Sequence, residues 1–205
     1  MADKDRLDWI FDSDRAGLEA RYDQWASSYD DDHDEWGWRG PELVVEAVLR
    51  LGEFSADQAI YDAGCGTGRV GLCLRRAGWT GRTVGLDFSQ GMLDVAAEAG
   101  DYDELIKCSL LDIPLPEDSA AAIVSSGVFT HGHVGGEAFA ELARITRPAG
   151  LVSVTQRLDV EEQLSGHASA LSASGRWQLV ERTTPESLHP ERDEALQTIT
   201  TWRVR

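Results

Sequence analysis

Lysine is almost missing from this 205-residue sequence: Lys4 and Lys107 stand beside 17 arginines, against 36 acidic residues and a formal net charge of −17. No basic run offsets that field, which disfavours a nucleic-acid partner because a phosphate backbone would be repelled. Acid excess with so little lysine fits a salt-adapted surface and a GC-rich codon bias equally well. Cysteine is scarce too. Cys65, Cys73 and Cys108 are odd in number and form no CxxC pair. That argues against a disulfide framework and a zinc site, and leaves reduced, partly buried thiols. The acidic run Asp30 to Asp34, with His33 inside it, reads as a solvated loop with no second set of ligands, so no metal is expected. Long hydrophobic runs are absent as well: nothing approaches the ~18 residues of a membrane span. The N-terminal stretch MADKDRLDWIFDSDR has no apolar core of a secretory signal. The expectation is one cytoplasmic protein, monomer or homodimer, with no membrane partner.

What is present is a globular composition, 42% hydrophobic with 7 tryptophans, patterned as short apolar runs and helical periods. QAIYDA (58–63), RTVGLD (82–87), ELIKCS (104–109), AAIVSSG (121–127) and LVSVTQ (151–156) read as five strands. Helical patterns lie over 67–78, 89–100 and 136–147, with Ser89 as an N-cap and Gly100 as a stop. Strands alternating with helices indicate a mainly parallel sheet. RWQLVERTT (176–184) and ALQTITTWRV (195–204) have no helical stretch between them and predict a C-terminal antiparallel hairpin. The fold class is therefore α/β, a Rossmann-like, seven-stranded, mainly parallel sheet. Residues 1–40 are acidic and aromatic and precede a helix opened by Pro41; they predict an N-terminal helical lid on a domain spanning 41–205.

The glycine-rich loop DAGCGTGR, Asp62 to Arg69, ends the first strand. A dinucleotide loop needs G-x-G-x-x-G, but here the spacing is Gly64-x-Gly66-x-Gly68 and Arg69 takes the third glycine's place. A P-loop is excluded, because no Gly-Lys-Ser/Thr follows. Asp62 would oppose a pyrophosphate yet suits a cofactor with an ammonium group, while the glycines let backbone approach a nucleoside. S-adenosylmethionine has an ammonium, a sulfonium, a ribose and an adenine, and no phosphate. Asp87 ends the second strand, where a carboxylate can accept both ribose hydroxyls. Asp112, after the third strand, can accept from the adenine amine, with Phe88 and Met92 flanking the ring. For Asp87 and Asp112 taken singly, a helix cap or a loop acid is the competing reading.

With DAGCGTG, GLDFSQGML, LLDIPLP and ELARITRPAGLVSVTQ together, the chain resembles the class I S-adenosylmethionine-dependent methyltransferases over roughly residues 40 to 205. YDQWASSYDDD followed by GWRGPE also resembles the small methyltransferase-like proteins of the Williams–Beuren-region type. The resemblance implies strand order 3-2-1-4-5-7-6 and a cofactor lying across the C-terminal ends of the first strands. The candidate cofactor set is completed by Gly64, Cys65, Gly66 and Gly68 of the loop, Leu111 and Ser126. The resemblance further implies an aromatic lid with Trp25, Tyr22 and Tyr29, and Arg39 as a fork for the cofactor's carboxylate. For Trp25 and Arg39 the alternatives are a core anchor and a surface residue.

Methyl transfer from a sulfonium is an in-line displacement, so the protein mainly holds the nucleophile close and aligned. The loop SSGVFTHGHVGG (125–136) faces the methyl group in this fold and carries His131 and His133. Either imidazole can accept a proton from a hydroxyl, thiol or amine, His133 being favoured, or can shape the pocket without proton transfer. The loop lacks the Asn/Asp-Pro-Pro-aromatic turn of amino-directed nucleic-acid methyltransferases. The reading is a methyltransferase acting on a small molecule. A protein acceptor, or a non-catalytic module that binds the cofactor or its demethylated product, are the alternatives.

Overall fold

The computed structural model describes residues 15–130, 132–191 and 195–205, with side chains from residue 17 onward. His131 lies outside the described residues. Two helices, α1 (Arg15–Trp25) and α2 (Tyr29–Glu35), precede α3 (Gly40–Leu51). The strands and helices then run β1 (Ala59–Ala63), α4 (Arg69–Arg76), β2 (Arg82–Asp87), α5 (Gln90–Ala99) and β3 (Glu104–Lys107). They continue as β4 (Ala120–Phe129), α6 (Phe139–Ile145), β5 (Thr146–Arg157), α7 (Glu161–Ala173), β6 (Trp177–Arg182), β7 (Glu186–Ser187) and β8 (Leu196–Val204).

One sheet holds all the strands in the order β3-β2-β1-β4-β5-β8-β6. β1 to β5 pair in parallel, and β8 runs antiparallel to both β5 and β6. This is the order implied by the resemblance, except that two-residue β7 adds an eighth strand beside β8. The alternation of β strands splits the core in two. Ile60, Ala122 and Val124 face α3 and α4. Tyr61, Ile123 and Val154 face α6 and α7, where Trp177 and Trp202 stack with ring centroids 4.5 Å apart. Fully buried strands of this kind carry apolar residues on both faces.

Three local readings change. The acidic run 30–34 is helix α2 rather than a loop, because Asp30, Asp31 and Asp32 fall in its first turn, where the helix dipole favours negative charge. Helix α7 has no counterpart in the sequence reading. Only Leu164 is buried within it, with Ala168 and Leu171 packed alongside, so its apolar stripe is thin. Finally, β5 begins at Thr146, ahead of Pro148, and Ala149 sits at φ 66° where a glycine would be unstrained. Among the described residues no helix is long and apolar enough to cross a membrane.

Candidate functional site

The C-terminal ends of β1, β2 and β4 meet beneath α1 and α2 and enclose a cavity of about 280 Å3. Its floor is the glycine loop. Gly66 has φ 52°, and a Cβ there would meet no heavy atom within 4 Å, so the backbone lies open to the cavity. Gly64 also lines the space, whereas Gly68 caps α4 from behind and Cys65 is buried beside it. Burial, then the charges of Asp87 and Asp62, push the Cys65 thiol well up and keep it protonated.

Asp87 ties the floor together. It accepts from Gly66 N at 2.8 Å and from Ser89 N at 2.9 Å, and its carboxylate borders the cavity. Burial raises its pKa, and the backbone N–H groups of Ser89, Gly66 and Phe88 oppose that rise. Asp62 lies deeper, fully buried at the end of β1. Its Oδ2 accepts from the Tyr102 hydroxyl at 2.7 Å, while its Oδ1 is buried without a hydrogen-bond partner. Burial pushes its pKa up to about 7, with the nearby Asp87 charge adding to the rise.

Phe88, Met92, Leu110 and Leu111 form an apolar wall. Asp112 does not join it: the residue is exposed, and its N donates to Ser109 O at 3.1 Å in a tight turn. Ser109 and Cys108 line the cavity instead. On the β4 side, Ser126 borders the space with its Oγ buried and unpartnered.

The lid contributes Leu18, Tyr22 and Tyr29 to the lining. Trp25 points elsewhere, its Nε1 donating to Asp32 Oδ2 at 2.6 Å within a nest of Tyr29, His33 and Trp36 rings. Arg39 is exposed and sits 3.8 Å from Glu186, outside the cavity. Side chains that the motif logic leaves unread hold the lid down. Asp23 Oδ1 accepts from Ser89 Oγ and from Gly91 N, at 2.6 and 2.8 Å, and so caps α5 from another element. Thr67 donates to Asp30 at 2.7 Å, and Lys107 meets Glu19 at the same distance.

His133 completes the roof. Its Nε2 is hydrogen-bonded to the Tyr22 hydroxyl, and its Nδ1 lies 2.8 Å from Thr130 Oγ1. Gly127, Val128, Gly132 and Val134 surround it, with Glu137 at the rim.

These groups fit S-adenosylmethionine. The glycine floor is open and the wall is apolar. Asp87 borders the cavity as an acceptor suited to hydroxyls, and the orphaned Asp62 Oδ1, buried two residues before Gly64 of the floor, is a carboxylate oxygen suited to an ammonium. Among the described lining residues there is no lysine or arginine to favour a phosphate.

A "Methyltransferase domain" family model matches residues 61–154. Methyltransferase-like protein 27 from Homo sapiens is 35% identical over 165 residues, covering 77% of this chain and 66% of that protein. A malonyl-[acyl-carrier protein] O-methyltransferase from Yersinia pestis is 31% identical over 68% of this chain and 49% of its own length. The chain thus spans between about half and two thirds of these relatives. Among solved structures, a chain of the complex between the Haloferax volcanii Trm112 methyltransferase activator and a methyltransferase shares the fold. Its TM-score is 0.67 at 19% identity, over 89% of this chain and 97% of that one.

Proposed function

We propose that this chain, which belongs to the class I S-adenosylmethionine-dependent methyltransferases, methylates a small-molecule acceptor held beneath its N-terminal helices. S-adenosylmethionine supplies, when bound, a methyl group on a positively charged sulfur. Asp87 receives the ribose hydroxyls, the Gly64–Gly66 backbone approaches the nucleoside, and Phe88, Met92 and Leu111 bracket the adenine. Asp62 and Ser126 complete the polar contacts.

The observation that carries the catalytic reading is the chain Tyr22–His133–Thr130 at the cavity roof. With Thr130 accepting from Nδ1–H, Nε2 keeps its lone pair toward Tyr22. A proton leaving the acceptor's hydroxyl, thiol or amine then passes to Nε2, directly or through the Tyr22 hydroxyl. Leu18, Tyr22 and Tyr29 of the N-terminal helices line the cavity together with the proposed cofactor groups, which supports an acceptor small enough to share that space.

The test is a label split. The protein is incubated with methyl-labelled S-adenosylmethionine and a host extract, and counts are separated by size. Label in a small molecule that chromatography separates from S-adenosylmethionine and its breakdown products supports the proposal, and that product's mass identifies the nucleophile. Label retained with protein overturns it in favour of a protein acceptor. No transfer in either fraction overturns it in favour of a non-catalytic binding module.

A further inference from the structure

Tyr102 reaches Asp62 through a slot made of glycines. A Cβ on Gly71, inside α4, would fall 2.6 Å from the Tyr102 ring. On Gly68, at the start of α4, it would fall 3.2 Å from that ring, and on Gly85, inside β2, 3.1 Å, although Leu105 at 2.6 Å and Cys65 at 2.9 Å lie nearer to Gly85. Glycine inside a helix is less stable there than alanine, and glycine inside a strand forgoes packing. At Gly71 the nearest atoms all belong to Tyr102, while Gly85 makes room for Leu105 and Cys65 as well as for the ring. At its tip the phenol donates to Asp62 Oδ2 at 2.7 Å and accepts from Gly71 N at 3.0 Å.

The slot leaves Asp62 half satisfied. One oxygen is held from outside the cavity; the other, Oδ1, is buried with no partner. A buried carboxylate in that state needs a cation or a further donor. Asp62 does not itself line the cavity, but it stands only two residues before Gly64 of the cavity floor.

We propose that Tyr102 is a positioning residue: by holding Oδ2 from behind, it presents Asp62 Oδ1 to the ammonium of the cofactor's amino-acid arm. It touches neither cofactor nor acceptor. The inference rests on the cavity being the S-adenosylmethionine site.

Two probes separate this role from simple packing. S-adenosylhomocysteine carries the ammonium; 5′-methylthioadenosine keeps the nucleoside and sulfur but lacks the amino-acid arm. Binding of each is measured by calorimetry for the wild type, Tyr102→Phe and Asp62→Asn. Tyr102→Phe keeps the ring in its slot and removes only the hydroxyl. The expected result is a loss of about tenfold in S-adenosylhomocysteine affinity, as for one hydrogen bond to a charged group. Methylthioadenosine affinity stays within about twofold, and Asp62→Asn shows the same split should Tyr102→Phe fail to fold. Equal losses for both probes, or no loss for either, overturn the positioning role and leave the cofactor site standing. A wild type that binds neither probe overturns the cofactor reading itself, and this inference with it.

Discussion

Arg69 holds Asp34: its Nη2 lies 2.6 Å from Asp34 Oδ1, and its Nη1 reaches Asp30 O at 3.3 Å. The residue in the place of a dinucleotide loop's third glycine thereby ties the start of α4, beside the glycine loop, to helix α2. Its guanidinium also lies 5.9 Å from the centroid of the Trp38 ring.

Arg69→Gln removes this tie while leaving the glycines intact. Hydrogen exchange of the backbone over residues 15–39 should accelerate about tenfold, with a several-fold loss of S-adenosylhomocysteine affinity. Unchanged exchange would mean that Asp23, Thr67 and Lys107 suffice to hold the lid.

His133→Ala should slow methyl transfer by about 10²- to 10⁴-fold, the span of a lost general base. Tyr22→Phe, which keeps the ring against Phe88, should slow it less. Neither should move S-adenosylhomocysteine affinity beyond about twofold. Transfer at the wild-type rate in His133→Ala would reduce the imidazole to a pocket wall.

Asp62 predicts a pH dependence of the ligand-free protein. Its pKa is raised from 3.8 to about 7 on folding, so between those values the folded state binds the extra proton. The stability contributed by this group is therefore present below pH 3.8 and is lost as pH rises through about 7. Asp87 is displaced in the same direction, so the informative quantity is the difference from Asp62→Asn. Urea unfolding at pH 5 and pH 8 should show the wild type losing more stability across that interval than the variant. Equal losses would contradict the buried, half-satisfied carboxylate.

Gly71→Ala should destabilise. In an open helix the substitution gains stability, but here the new Cβ would fall 2.6 Å from the Tyr102 ring. A fall in Tm of about 5 °C is expected by calorimetric scanning. A rise would contradict the position of Tyr102.

Much of this site follows from strand-end logic. Gly64, Gly66, Asp87, Phe88 and Met92 line the cavity because each ends β1 or β2 or follows it within a few residues, Met92 in the first turn of α5. Asp112 lies farther from its strand: β3 ends at Lys107, and the chain turns through Ser109 before reaching it. Counting residues does not determine where such a side chain points. Arg39 and Trp25 depend on how α1 to α3 pack, which no local pattern encodes.

Tyr102 lies in the short loop between α5 and β3 with no local signal of its own; the one trace of it in the sequence is Gly71, a glycine inside a helical pattern. The Tyr22–His133 bond joins residues 111 positions apart and has no local signal. The mainly parallel sheet was legible in the alternation of apolar runs with helical patterns, whereas the strand order was implied by the family resemblance and not by the runs themselves. The thin stripe of α7 was not legible.

The most direct measurement is a calorimetric titration of S-adenosylhomocysteine into the wild type and Asp87→Ala. Asp87 is the carboxylate bordering the cavity that also holds Gly66 N. Its removal should weaken binding by at least about tenfold, through lost hydroxyl contacts and a loosened loop. Unchanged affinity in a folded variant would contradict the placement of the cofactor in this cavity.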